Sequence, residues 1–256
     1  LARAQADGVE TMGSASAVAE WDGIVVCSLP SPLALAAVAA EIAESDGTGC
    51  VIMETSTFRI ADKEAARDVL AAAGHTLLDC PLSGTGQQAQ TGDLSVFTSG
   101  DEAAVKRCIP AIEAFSREHK YCGVFGNGSR MKFVANHLVT IHNVAAAEAM
   151  VLGMKSGLDP HLIYDVISTS AGTSRMFQVR AKMMADADYD DVGMSNRLYQ
   201  KDLDIITAFA SEVHCPVGLF ATSVQPYRAA LEQGLGEKDT AAVCAVLEEQ
   251  ARVRRT

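Results

Sequence analysis

The chain changes its pattern once, at Gly126-Asn127-Gly128, and that change constrains the fold more than any other feature. Before it, short apolar runs alternate with stretches suited to helices. Residues 24–29 (Ile-Val-Val-Cys-Ser-Leu) read as a strand ended by Pro30. The alanine-rich stretch 32–44 reads as a helix, with Ser31 placed to cap it and Pro32 at its first position, where an N–H would have no partner anyway. The pattern then predicts a strand over 50–54, a helix over 61–73 closed by Gly74, and a strand over 75–80. A strand over 94–98, a helix over 101–115 and a last strand over 120–125 complete this half. Such a βαβα rhythm implies a mostly parallel sheet with helices on both faces, whose ligands sit at the carboxyl ends of the strands. Those ends carry Ser28-Leu29-Pro30, Thr55-Ser56-Thr57 and Pro81-Leu82-Ser83-Gly84.

After the break, strand patterns fade. Residues 129–155 contain no proline and one glycine, Gly153, and predict a single long helix ending near Gly157. Further helical stretches follow at about 160–169, 175–186, 195–213, 217–233 and 239–253. The reading is an α/β domain over 1–126 followed by an all-α helical domain over 127–256, with the long helix as the joint. No internal repeat is evident.

Composition narrows the function classes. Hydrophobic residues at 48% allow a real core, and no apolar run reaches the ~18 residues of a membrane span. The seven cysteines are scattered without paired spacing, which favours free thiols in a reducing compartment, so a cytoplasmic location is expected. A net charge of −11 would repel a nucleic-acid backbone, yet a few local donors could still hold a small carboxylate. Neither a G-x-S-x-G elbow nor a Walker loop is present. No metal is expected: His137 and His142, five apart on a helix, point to different faces.

The long helix carries the most informative polar pattern. Lys132, Asn136, Thr140 and Asn143 fall on one face at spacings of 4, 8 and 11. A lysine rooted in a largely apolar helix near a domain junction is a candidate for proton transfer; the same pattern also suits an exposed helical edge. The segment Asp79-Cys80-Pro81-Leu82-Ser83-Gly84-Thr85-Gly86 could present backbone donors and a hydroxyl to a carboxylate, or form only a tight turn. Lys201-Asp202 reads, by itself, as a solvated charge pair.

Taken together and in order, five segments resemble the β-hydroxyacid dehydrogenase family, which includes 3-hydroxyisobutyrate dehydrogenases and, more distantly, 6-phosphogluconate dehydrogenase. They are DCPLSGTGQQAQTGDLSVFTSGD (79–101), GVFGNGSRMKFVAN (123–136), AGTSRMFQVR (171–180), QKDLDI (200–205) and GLGEKDTAAV (234–243). AGTSRMFQVR is most similar to the L-threonate dehydrogenase branch, which implies a short sugar acid or related substrate. The resemblance implies a Rossmann-like first domain, an active site in the cleft between the domains, NAD or NADP as cofactor, and a homo-oligomer formed through the helical domain. It implies that Lys132 is the catalytic acid and base and that Asn136 contacts substrate beside it. Ser83, Gly84 and Thr85 match the loop that holds the substrate carboxylate; Thr85 replaces a second glycine, a departure that would narrow the pocket. Leu29, Pro30 and Thr57 match positions near the nicotinamide half of the cofactor, and Glu54 replaces the usual aspartate. Lys201 matches a lysine that closes over the cofactor, with Asp202 supporting it.

Family members begin with a strand, a G-x-G-x-x-G turn and a helix, and no such motif occurs here; the opening LARAQADGVE resembles the family's second helix. An α/β sheet without its first strand would expose an unpaired edge. The expectation is therefore that the first βα segment, roughly 30 to 40 residues, is missing from this sequence rather than from the natural protein. Two other readings stand beside the dehydrogenase. One is a dimerisation or scaffold module that has lost its cofactor, against which the retained Lys132, Asn136 and Ser83 argue. The other is an imine reductase on the same architecture, in which the lysine is typically replaced. NAD and NADP cannot be told apart, since the discriminating residue lies in or beside the missing segment.

Overall fold

A computed structural model describes residues 5–20 and 23–255, apart from the side chain of residue 87. The chain divides into two compact units, Leu1–Lys132 and Phe133–Thr256.

The first unit has the expected alternation. After a short helix α1 (Ala15–Ala19), strand β1 (Ile24–Cys27) leads to α2 (Pro32–Ala43), β2 (Val51–Glu54) to α3 (Ile60–Ala72), and β3 (Thr76–Asp79) closes the first ladder. These strands pair in parallel in the order β1-β2-β3. A second ladder holds β4 (Leu82–Ser83), β5 (Ser95–Thr98) and β6 (Glu118–Tyr121), with α4 (Gly86–Gln90) before β5 and α5 (Glu102–Glu113) after it. Here β4 runs antiparallel to β5, and β6 parallel to it. One antiparallel bridge, Asp79 to Ser99, joins the ladders. The central strand β2 shows why the sheet needs helices on both faces. All four of its residues are buried, and because side chains alternate along a strand, Ile52 packs with Leu35, Ile42 and Leu70 while Val51 and Met53 pack with Val105, Cys108 and Ile112.

Ser31 caps α2 with its side chain accepting from Ala34 N–H, and Pro32 occupies the first turn, as the sequence indicates. The last strand differs. It was expected over 120–125, on the apolar Tyr121–Phe125 stretch, but lies at Glu118–Tyr121 and is mostly exposed. It is an edge strand, where charged residues discourage further pairing, so its hydrophobicity carries no strand signal. The long helix also starts earlier, at Asn127.

The second unit is helical among its described residues. It contains the remainder of α6 (Asn127–Lys155), then α7 (Pro160–Ser168), α8 (Arg175–Asp186), α9 (Asn196–Glu212), α10 (Gly218–Glu232), a 3₁₀ turn (Thr240–Ala242) and α11 (Val243–Ala251). Asp159, Ser174 and Ser195 cap α7, α8 and α9 through their side chains. Asp239, in the GLGEKDTAAV segment, ties several elements together. It pairs with Arg180 at 3.2 Å and accepts from the N–H groups of Gly193, Met194 and Ala241. Among the described residues, no helix is long and apolar enough to cross a membrane.

Burial of thiols has a consequence for pH. Cys27 is pushed up to about 11, by burial first and by Glu54 second, and Cys108 to about 11 by burial. A raised folded value means that stability is complete below the ordinary thiol value of 9.0 and is lost as pH rises through about 11, because the unfolded chain ionises first. The urea midpoint should therefore fall between pH 9 and 11, with a shallower fall in the Cys27→Ala/Cys108→Ala double variant. An equal fall with the thiols removed would assign the effect elsewhere.

Candidate active site

At the carboxyl ends of the first ladder, backbone and hydroxyl groups lock the loops together. The N–H of Leu29, beyond β1, donates to Ser56 Oγ at 2.9 Å, and Ser56 N–H donates to Glu54 Oε1 at 2.9 Å. Thr55 N–H and Oγ1 both donate to Cys27 O, at 2.8 and 3.0 Å. Leu29 and Thr57 are half-buried and Pro30 is exposed. These three expected cofactor positions thus sit on a shelf stiffened by Ser56, a residue the sequence reading passed over. Such a shelf, at the carboxyl ends of parallel strands, lies where sheets of this kind bind their ligands.

The loop expected to hold a carboxylate is more committed than its glycines suggest. Ser83 ends β4 and is half-buried. Gly84 has φ +142°, a backbone conformation that favours glycine over residues with a side chain. Thr85 caps α4 in a capping box: its N–H donates to Gln88 Oε1 at 3.0 Å, and its Oγ1 accepts from Gln88 N–H. The Thr85 amide is therefore occupied within the loop itself. The Thr-x-x-Gln spacing was the sequence signal for this cap, and it was missed.

Beneath both loops lies a buried charged network that sequence reasoning also missed. Lys63 is fully buried, with Nζ 2.6 Å from Glu54 Oε2 and 2.8 Å from Asp79 Oδ1. Burial opposes its charge, but Asp79 and Glu54 outweigh this and hold the amine above its ordinary value. Asp79 also accepts from Ser129 N–H and Ser129 Oγ, both at 2.7 Å, and from Ser99 Oγ at 3.2 Å. Ser129 lies in the first turn of α6, where an anion complements the positive helix end. Gly128 N–H donates to Ser99 Oγ at 2.9 Å, and a Cβ on Gly128 would collide with the carbonyls of Phe97 and Asp79 at 2.5 and 2.6 Å. The start of α6 is thus pressed against the strand ends, three residues before Lys132, which is 9% exposed.

Farther along α6, in the second unit, the polar face is buried and hydrogen-bonded, not an exposed edge. Asn136 is 6% exposed, and Thr140 and Asn143 are fully buried. Asn136 Nδ2 donates to Asp202 Oδ2 at 2.8 Å, and Asp202 Oδ1 lies 3.0 Å from Lys201 Nζ. Thr140 Oγ1 and Tyr199 OH are 2.9 Å apart, and Tyr199 OH also donates to Asn136 O at 3.2 Å. Asn143 Nδ2 donates to Tyr227 OH at 2.9 Å and to Thr240 O at 2.9 Å. Burial pushes the Tyr227 phenol up to about 12 and raises Tyr199 further, so both remain neutral. Asp202 is half of a solvated pair only at its Lys201 side; its other oxygen fixes the Asn136 amide. Among the described residues, no cluster of His, Cys, Asp or Glu is placed to hold a metal ion.

Comparison with known proteins places these features in a family context. Residues 1–126 match the NAD binding domain of 6-phosphogluconate dehydrogenase, and residues 126–247 match the NAD-binding family of NADP-dependent 3-hydroxyisobutyrate dehydrogenase. L-threonate dehydrogenase of Haemophilus influenzae is 31% identical over 227 residues, 88% of this chain and 75% of that protein. L-threonate dehydrogenase of Escherichia coli O6:H1 is 32% identical over 196 residues, covering 76% of this chain but only 65% of the relative, so the chain spans a little under two thirds of it. The crystal structure of 3-hydroxyisobutyrate dehydrogenase from Salmonella typhimurium superposes with a TM-score of 0.83 at 29% identity, covering 96% of this chain and 87% of that one.

Proposed function

The chain belongs to the β-hydroxyacid dehydrogenase family, and on that premise we propose that it transfers hydride between NAD or NADP and a short β-hydroxyacid, with Lys132 as acid and base. The observation that carries this reading is the burial of Lys132 and Asn136 on one face of α6. Buried polar groups of this kind are costly unless they are used or satisfied.

NAD or NADP, when bound, supplies the hydride acceptor or donor. Leu29, Pro30 and Thr57 would hold its ring end, and Lys201, paired with Asp202, would contribute a cation from the helical unit. The Ser83 hydroxyl and the Gly84 backbone hold the substrate carboxylate, which orients the β-carbon. Lys132 Nζ takes the proton of the β-hydroxyl during oxidation and returns one during reduction. Asn136 holds the reacting oxygen through the part of its amide that Asp202 leaves available. The L-threonate dehydrogenases among its relatives, with the AGTSRMFQVR segment, favour a short sugar acid such as threonate as substrate.

The test is an absorbance assay for nicotinamide reduction by the full-length protein, with NAD and NADP each paired against threonate, 3-hydroxyisobutyrate and related short β-hydroxyacids. Turnover with at least one pair is expected, together with a thermal shift from the preferred cofactor. Absence of both turnover and shift would overturn the assignment and favour a non-catalytic module.

Asp202 offers a sharper prediction. An ionised carboxylate can only accept, so it dictates that Nδ2 of Asn136 faces it and Oδ1 faces away. Asp202→Asn keeps the shape but lets either end of the Asn136 amide turn inward. Turnover should fall about tenfold, the equivalent of one hydrogen bond to a charged group, with little change in thermal midpoint. Wild-type turnover in this variant would remove Asp202 from the mechanism.

A further inference from the structure

No catalytic step above uses Lys63, yet it is the fully buried cation of the first unit's charged network. The ends of four strands and two helices, α3 and α6, meet through that network. Glu54, at the end of β2, binds Ser56 N–H, and Ser56 in turn holds Leu29 beyond β1. Asp79, at the end of β3, binds Ser99 beyond β5 and both Ser129 N–H and Ser129 Oγ on α6. Lys63 Nζ stands between the two carboxylates, at 2.6 and 2.8 Å. Without it, two buried carboxylates would face each other, and Asp79 could not keep both its charge and its grip on α6. The geometry also leaves α6 no slack, because Gly128 already lies against the carbonyls of Phe97 and Asp79.

We propose that Lys63 is a positioning residue for Lys132: by neutralising Glu54 and Asp79 together, it fixes the first turns of α6 and hence the place from which the catalytic amine acts. Resting on the dehydrogenase reading, this extends the site to a side chain that never touches substrate. It also couples the Leu29–Ser56 shelf to the catalytic helix through one cation, so that cofactor side and proton-transfer side share a common anchor.

Two variants test it in the full-length protein. Lys63→Met removes the cation and keeps the stem. Ser129→Ala leaves the Lys63–Glu54–Asp79 cluster intact and removes one of the two contacts by which Asp79 holds the helix. Turnover and KM are measured for each beside wild type and Lys132→Met, and hydrogen exchange is followed over the peptide containing residues 127–135. For Lys63→Met the expected result is turnover lowered about tenfold or more, the scale of a sub-ångström misplacement, with KM changed less than about threefold. Exchange at Ser129 and its neighbours should quicken by about tenfold, while the peptides of α9 and α10 keep wild-type rates. Ser129→Ala should shift both readouts the same way, by less, and it decides the matter if Lys63→Met does not fold. Wild-type turnover in Ser129→Ala and in folded Lys63→Met overturns the proposal, as does exchange that quickens equally throughout the chain. If Lys132→Met is as active as wild type, the dehydrogenase mechanism itself is wrong and the catalytic part of the inference falls with it. Unchanged exchange over residues 127–135 would remove its structural part regardless of activity.

Discussion

Lys132→Met should lower turnover by about 10²- to 10⁴-fold, the range in which a single general acid or base contributes, while KM for the hydroxyacid changes only a few-fold. Methionine retains the unbranched apolar stem that a buried lysine packs against its surroundings, so the loss reports the amine and not a cavity. The thermal midpoint should fall less than in Asp79→Ala, which removes the acceptor that holds the helix start. The shorter Lys132→Ala should be slower still and partly restored by small primary amines, which can enter the space left by the side chain. Activity within a few-fold of wild type in Lys132→Met would mean that another group moves the proton. The substrate hydroxyl would then need a different partner, and Asn136, an amide that cannot accept a proton at neutral pH, could not supply it.

The parts of this protein that were readable before folding are those in which burial acts on neighbours in sequence. Strand β2 and helix α2 announce themselves through local apolar runs and a serine-proline cap, and each needs only its own residues to be recognised. The edge strand β6 does not, because its Glu-His-Lys-Tyr sequence answers to solvent and to the avoidance of further pairing. The polar face of α6 was visible as a spacing, but spacing cannot tell an exposed edge from a buried one. That difference lies in Tyr199, Asp202 and Tyr227, which approach Asn136, Thr140 and Asn143 from 59 to 84 residues away. The Glu54–Lys63–Asp79 network was hidden for the same reason: its members come from two strands and a helix and share no motif. One local clue did exist. Lys63 lies in register with Ala66 and Leu70 on the buried stripe of α3, and a lysine on such a stripe needs a buried counter-charge. The capping box at Thr85 and Gln88 was equally local, and it occupies the Thr85 amide.

Asp79→Ala should cost about 3 to 5 kcal/mol of unfolding free energy, the usual consequence of removing one partner from a buried ion pair. The argument rests on what the alanine strands. Lys63 would keep Glu54 at 2.6 Å, so its charge is not wholly uncompensated, which sets the lower end of that range. Against this, Ser129 N–H, Ser129 Oγ and Ser99 Oγ would lose their shared acceptor in a place where water has little access. Each unsatisfied buried donor adds about 1 to 3 kcal/mol, so the upper end is reached unless α6 shifts to find new partners. Such a shift is resisted at Gly128, where the space a Cβ would fill is taken by the carbonyls of Phe97 and Asp79. Asp79→Asn should be milder, since its carbonyl can still accept from Ser129, and Glu54→Gln milder again, because Asp79 remains to neutralise Lys63. The order expected in urea unfolding, followed by circular dichroism, is therefore Asp79→Ala, then Asp79→Asn, then Glu54→Gln. A cost below about 1 kcal/mol for Asp79→Ala, the scale of an exposed pair, would mean that the network is a by-product of packing and that α6 is held by its apolar contacts alone.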